Sequence, residues 1–285
     1  VGALKIGKKR YGKGTFVTRG LAIVFPIIFF GMLHVAVAAG FDYSDYAEFL
    51  NRYVVEQEKI KDFTLNVVDY GGIQKSSEKP DSLYENVLKQ FEDFAPDAIQ
   101  NREDEIAFWI NAYNIGAIKM IMHHYPVDSI RSTNINWLKN PWNKRILTIG
   151  KAAYSLGQIE HEILVGKYGE PLIHFGIVCA SLSCPELSKQ VYEGSDLIGH
   201  LEKQARLFLR DTKKGLRIDR ERGEVYFSQI FKFDKKTFPN GARDAISLIV
   251  RFVESAGDRE YLRAGEYKVK YLDYDWSLNA LQNVE

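Results

Sequence analysis

Pro171–Leu187, PLIHFGIVCASLSCPEL, holds both cysteines of the chain and one of its six histidines. Leu172–Cys179 is a short apolar run without helical periodicity, which predicts a buried strand. Ala180–Ser183 is small and polar, as a tight loop is. Cys184-Pro185-Glu186 then predicts a helix start. Proline suits the first helical position, where its missing N–H costs nothing, and Glu186 complements the positive end of the dipole. The expectation is strand, loop, helix N-terminus, with one thiol at each side of the loop. A cysteine at a helix N-terminus has its thiolate stabilised, which makes sulfur a nucleophile at neutral pH.

On the expected strand His174, Gly176 and Val178 share one face, and Phe175, Ile177 and Cys179 the other. His174 would then reach Cys184, with the loop folded back, rather than Cys179. One element upstream, Ala152–Tyr168 predicts a helix with Leu156, Ile159, Ile163 and Leu164 on its buried side and Glu160 beside His161. A histidine next to an apolar stripe is by default structural; its place before the thiol stretch makes it a candidate base.

Glu103–His123 (EDEIAFWINAYNIGAIKMIMH) predicts the strongest helix, acidic in its first turn and apolar on nearly every side, hence buried all round. Asn111 and Asn114 lie on one face of it. Buried amides need partners, so they brace neighbouring loops or line a site. Trp109 and Tyr113 read as core. Ser129–Lys144 lacks a period and carries Trp137 and Trp142, a long loop that covers something.

Further out, Phe41–Lys59, Asp81–Phe94 (N-capped by Asp81), Asp196–Leu209 and Asp244–Val253 predict amphipathic helices. Thr64–Tyr70, Arg145–Ile149 and Lys268–Leu278 predict strands. Leu216–Asp219 and Glu224–Ser228 form a hairpin about Arg220–Gly223. Phe231, Phe233 and Phe238 tie a loop to the core. No repeat or linker divides residues 41–285. The fold class is therefore α+β, a single domain with helices packed on a small, mainly antiparallel sheet.

The chain of 285 residues is 46% hydrophobic and 26% charged, with a formal net charge of +1, ordinary for a globular protein with a large core. The charge is uneven. Lys5, Lys8, Lys9, Arg10, Lys13 and Arg19 precede the apolar run Gly20–Ala39, which ends in Ala36-Val37-Ala38. Residues 1–38 read as a secretory signal peptide or, uncleaved, as an N-terminal membrane anchor. Either sends the rest to the periplasm or cell envelope, with membrane contact only through that segment. Without these basic residues the chain is mildly acidic, and no nucleic-acid surface is expected. Two cysteines in an exported protein also admit a disulfide across their short loop.

AFWINAYN (Ala107–Asn114), IEHEIL (Ile159–Leu164), IHFGIVCASLSCP (Ile173–Pro185), FKFDKKTF (Phe231–Phe238) and YLDYDWSLN (Tyr271–Asn279) occur in this order. Together they resemble the domain of unknown function 547 family, found in bacterial and plant proteins, over nearly all of residues 41–285. The resemblance implies a common site for Trp109, Asn111, Asn114, Glu160, His161, His174, Cys179 and Cys184, and assigns no reaction. By analogy the fold is papain- or transglutaminase-like. In those thiol enzymes, however, the nucleophile opens a helix before the strand carrying the histidine, the reverse of the order here.

The functional expectation is an exported thiol-dependent hydrolase or acyl-transfer enzyme acting on a small peptide or amide substrate. Cys184 is the favoured nucleophile on dipole grounds and Cys179 the second choice. His174 or His161 would be the base, oriented by Glu160 or Asn111. Backbone N–H groups after Pro185 would stabilise an oxyanion. Trp109, Asn111, Asn114, Ser181 and Ser183 are the candidates to hold substrate. The alternative is a non-catalytic envelope domain that binds a ligand or peptide, stiffened by a Cys179–Cys184 disulfide. A redox dithiol is a third reading, without the familiar C-x-x-C spacing. No phosphate loop, dinucleotide fingerprint or metal-ligand spacing is present, so no cofactor or metal is expected.

Overall fold

The computed structural model describes residues 40–79 and 82–284, with Val1, Gly2, Gly12 and Gly14. The signal-peptide or anchor reading of Gly20–Ala39 and the Asp81 cap lie outside the described residues.

Helix α4 (Arg102–Met122) is the axis of the fold. Asn101 Oδ1 accepts from the backbone N–H groups of Glu103 and Asp104 (2.7 and 3.2 Å), capping the helix, and three acidic residues follow in its first turn. Residues 106–118 are all buried. Helices α1 (Ser44–Tyr53), α2 (Tyr70–Ser77) and α3 (Leu83–Asp93) pack against one another at one end. There Phe91, Phe94 and Phe108 gather round Phe41 at 4.6–5.2 Å. Helix α5 (Leu197–Arg210) packs on α4 from another side.

Local chemistry alters several expected boundaries. The first helix stops at Tyr53, and β1 (Val54–Ile60) pairs antiparallel with β2 (Phe63–Val68), because pairing buries Val54 beside Val68 and Ile60 with Leu65 and Val67. Helix α2 runs through Gly71-Gly72, because Asp69 Oδ1 caps it by accepting from the Gly72 N–H at 2.8 Å. A Cβ on Gly72 would lie 2.2 Å from the Asp69 carboxylate, so only glycine leaves room for that cap.

The expected helix Ala152–Tyr168 is divided. Gly150 and Lys151, both at positive φ (54° and 67°), make the tight turn a hairpin requires. Strand β4 (Ala152–Ser155) returns antiparallel to β3 (Arg145–Ile149), and a π-helix (Gln158–Lys167) follows. A third sheet holds β5 (Leu216–Asp219), β6 (Glu224–Phe227) and β7 (Lys268–Tyr271). In it β5–β6 is antiparallel, β6–β7 is parallel, and Val225 and Phe227 are fully buried.

The helices α6 (Ile230–Phe233), α7 (Ala242–Ile249) and α8 (Ala256–Ala264) complete the fold; α8 is capped by Ser255 and closed by left-handed Gly265. Phe231 and Phe238 enter the core, whereas Phe233 is 48% exposed. Residues 40–284 fold as one α+β unit with small, mainly antiparallel sheets.

Candidate functional site

The thiol stretch is neither strand nor helix start. Glu170 caps a short 3-10 helix, Pro171–Phe175, by accepting from the Leu172 N–H at 3.2 Å. From there to Ala180 the chain runs irregularly through the core, every residue from 172 to 185 buried. A continuous apolar run signals burial, and only its hydrogen-bond partners decide its conformation.

Those partners are the two asparagines of α4. Asn114 Nδ2 donates to the Gly176 carbonyl (2.9 Å) and its Oδ1 accepts from the Val178 N–H (2.9 Å). Asn111 grips Tyr192 in the same way, donating to its carbonyl at 2.7 Å and accepting from its N–H at 3.1 Å. Each amide replaces the neighbouring strand that these buried backbone groups lack. Both asparagines therefore brace loops, and Asn114 sets the position of the residue before Cys179.

No helix follows Cys184-Pro185. The segment is held instead by tertiary partners: Asn66 Nδ2 donates to the Leu187 carbonyl at 2.9 Å, and Glu186 Oε1 lies 3.5 Å from the buried Lys214 ammonium. The dipole argument for Cys184 and the oxyanion groups expected after Pro185 both fall with that helix.

The loop turns at Ala180, which takes a left-handed conformation (φ 59°). The segment Asp275–Asn279 clamps it. Ser181 bridges Leu278, Leu182 N–H donates to the Ser277 carbonyl at 3.0 Å, and Asn279 N–H donates to the Ala180 carbonyl at 3.0 Å. Ser183 Oγ accepts from the Asp275 N–H at 2.8 Å, so this hydroxyl holds backbone.

The two thiols are free and face each other, Sγ to Sγ 2.8 Å. The Cys179 N–H donates to Cys184 Sγ at 3.0 Å. Around Cys179 Sγ stand Ser181 Oγ at 3.2 Å and the Tyr274 hydroxyl at 3.3 Å, themselves 3.3 Å apart. Burial pushes the Cys179 thiol up, but hydrogen bonds from Cys184, Ser181 and Tyr274 outweigh it and bring the group down to about 7. Burial and the adjoining Cys179 sulfur push Cys184 well above the ordinary thiol range. Burial and the same sulfur raise Tyr274, which keeps its proton to donate. The pair thus divides into a thiolate-forming member and a protonated one. Cys179 and Cys184 are both buried, at 7% and 6% exposed.

Beside the thiols, Glu160 Oε2 accepts from the Tyr113 hydroxyl at 3.1 Å, and Tyr113 accepts from Trp142 Nε1–H at 3.1 Å. Burial, the Glu160 carboxylate and the sulfurs together raise Tyr113 far above its usual value. Tyr113 and Tyr274 are the site residues that sequence reasoning missed. The signal for Tyr274 was its place in the YLDYDWSLN motif, read only as strand and turn.

The structure brings no imidazole to either sulfur among the described residues. His174 Nε2 lies 2.9 Å from Asp234 Oδ2 and 3.4 Å from Thr237 Oγ1, its ring 5.4 Å from Phe238. His161 is exposed on the π-helix, where its carbonyl accepts from Lys236 Nζ. Neither occupies the position of a base for Cys179 or Cys184, because the irregular path of residues 171–179 turns His174 towards the Asp234 loop. Glu160 orients no histidine; its partner is Tyr113. Trp109 is core, packed on Phe108 and Tyr154 at 5.4 and 5.2 Å. Among the described residues no three His, Cys, Asp or Glu side chains are grouped to hold a metal ion.

Fold and site define an α+β domain built round a paired-thiol loop that one buried helix and a C-terminal segment hold in place. Residues 97–209 match the family model described as "Protein of unknown function, DUF547", and over this segment the chain is similar to that family. The matched segment runs from α4 to α5 and includes both cysteines; Asp234 and Tyr274 lie beyond it. No curated protein and no solved structure matches the chain.

Proposed function

We propose that the protein is a thiol-dependent hydrolase or acyl-transfer enzyme acting on an amide or peptide bond, with Cys179 as the attacking sulfur. The observation that carries this reading is the set of donors around Cys179 Sγ: a thiol at 2.8 Å and two hydroxyls at 3.2 and 3.3 Å. A thiolate present at neutral pH needs no imidazole to activate it. A pair of titratable groups driven apart by their surroundings also assigns the roles: Cys179 attacks and Cys184 supplies a proton. The C–S bond forms as the C–N bond breaks, and the leaving nitrogen takes the Cys184 proton. Water then cleaves the thioester, releasing the acid and restoring both sulfurs to their starting protonation.

The basic residues before Gly20–Ala39 and the Ala36-Val37-Ala38 end support an exported enzyme, with a small peptide or amide of the cell envelope as substrate. Labelling with an acyl-type electrophile tests the chemistry. Cys179→Ala is expected to abolish labelling and turnover, whereas Cys184→Ala slows both and keeps labelling at residue 179. Unchanged labelling in Cys179→Ala refutes the assignment.

One observation favours a second reading. Two free sulfurs 2.8 Å apart are poised to join, which suits a non-catalytic envelope domain stapled by a Cys179–Cys184 disulfide. Thiol titration of the freshly isolated, denatured protein separates the two readings. Two titratable thiols support the enzyme, and none without reductant supports the staple.

A further inference from the structure

Four aromatic side chains adjoin the thiols in an unbroken row. Trp142 and Trp276 have ring centroids 5.8 Å apart, Trp276 and Tyr274 4.4 Å, Tyr274 and Phe233 5.2 Å, and Phe233 stacks on Trp276 at 5.8 Å. Each of the four residues is partly exposed, most of all Phe233 at 48%. The row is continuous with the reactive pair, since Tyr274 places its hydroxyl 3.3 Å from Cys179 Sγ. Trp142 fixes the other end through its N–H to Tyr113, itself bonded to Glu160. The Arg131 guanidinium lies 4.8 Å from the Trp276 ring and holds it from one side.

Packing alone does not account for this arrangement. Phe233 sits in a four-residue helix whose neighbour Phe231 is fully buried. A large ring left half in water, against two other partly exposed rings, is a contiguous apolar patch of the kind that marks a binding surface. Aromatic faces at fixed positions offer contact area at low entropic cost, and Tyr274 and Trp142 are each fixed by a hydrogen bond.

We propose that Trp142, Trp276, Tyr274 and Phe233 form the subsite for an aryl-bearing group of the substrate, held beside Cys179. This rests on the thiol-enzyme reading and adds the substrate class to it: an amide or peptide whose acyl portion carries an aromatic ring. The ring lies on Trp276 and Phe233, and the carbonyl carbon comes to Cys179 Sγ past the Tyr274 hydroxyl.

Competitive alkylation of the reduced chain tests it. Iodoacetamide and N-naphthyl iodoacetamide are compared, each rate at Cys179 divided by that reagent's rate with free glutathione. An offset-stacked aromatic contact adds to burial, so the aryl reagent is expected to be favoured about tenfold and to saturate. Phe233→Ser and Trp276→Ser bring the ratio down towards one. Phe233→Tyr retains it, as does Trp137→Ser on the exposed part of the 129–144 loop. Equal normalised rates in the wild type, with Cys179 reactive, overturn the subsite and leave the thiol chemistry standing. A Cys179 inert to both reagents overturns the two together.

Discussion

The Tyr274 hydroxyl stands 3.3 Å from Cys179 Sγ, although 95 positions separate the two residues. The contact exists because Asp275–Asn279 pairs with the Ala180–Ser183 loop, which brings the end of the chain against the thiols. A sulfur that titrates near neutrality in a buried setting depends on such donors.

The first expectation follows from that dependence. Alkylation of Cys179 by iodoacetamide should rise with pH about a midpoint near 7, well below the ordinary thiol value of 9.0. Tyr274→Phe removes a donor to the charged form, so the protonated form gains and the midpoint moves up. A hydrogen bond to a charged group contributes about 1.5–3 kcal/mol, equivalent to a rise of about one to two pH units. A midpoint unmoved in Tyr274→Phe counts against Tyr274 as a donor.

Asn114 supports a second expectation. Asn114→Leu leaves the Gly176 carbonyl and the Val178 N–H, both held at 2.9 Å, without partners in a buried place. The expected loss is about 1–3 kcal/mol for each unmet group, seen as a lower urea midpoint. Asn114→Asp keeps an acceptor for Val178 but sets a buried carboxyl against the Gly176 carbonyl, so it must take up a proton to donate there, and its loss should shrink as pH falls. Stability equal to wild type in Asn114→Leu excludes the bracing role.

Acid stability reports on Asp234. Burial opposes its charge, but hydrogen bonds from His174 and Thr237 and the nearby His174 ring hold its carboxyl far below its ordinary 3.8. A carboxylate depressed in the folded state contributes stability that is complete above the unfolded value and is lost as pH falls through the folded one. The wild type should therefore lose stability steeply below pH 3.8, while Asp234→Asn shows a flatter slope over the same range. Parallel slopes in urea unfolding between neutral and acid pH would remove Asp234 from that account.

Gly176 offers a steric test. A Cβ there would stand 2.7 Å from Leu201 Cδ2 and 3.3 Å from the Tyr192 ring, and both neighbours are buried. Gly176→Ala should cost about 1–3 kcal/mol through overpacking. Gly176→Ala together with Leu201→Ala should recover part of that cost, whereas simple additivity of the two losses would deny the contact.

How much was legible beforehand varied with the range of the deciding contact. The buried helix at 102–122, the amphipathic helices α3, α5 and α7, and the hairpin β5–β6 follow from periodicity and from capping or turn residues, all of which act over a few positions. The division of residues 152–168 between strand and π-helix was decided by the Gly150-Lys151 turn, a local signal overlooked in favour of an apolar stripe. The site was legible as a list and not as an arrangement: the expected thiol–imidazole partnership was replaced by Tyr274 and Ser181, while His174 turned to Asp234.

From the residues alone came the α+β class, the buried amide-bearing helix and the suspicion that chemistry gathers at Cys179 and Cys184. The three-dimensional packing decided what surrounds each sulfur and that residues 171–187 run irregularly. The reason is physical. Burial and helical period are properties of neighbouring side chains along the chain. The charge on a thiol and the path of a strandless core segment depend on donors and acceptors brought from far away, here from α4 and from the segment around Tyr274.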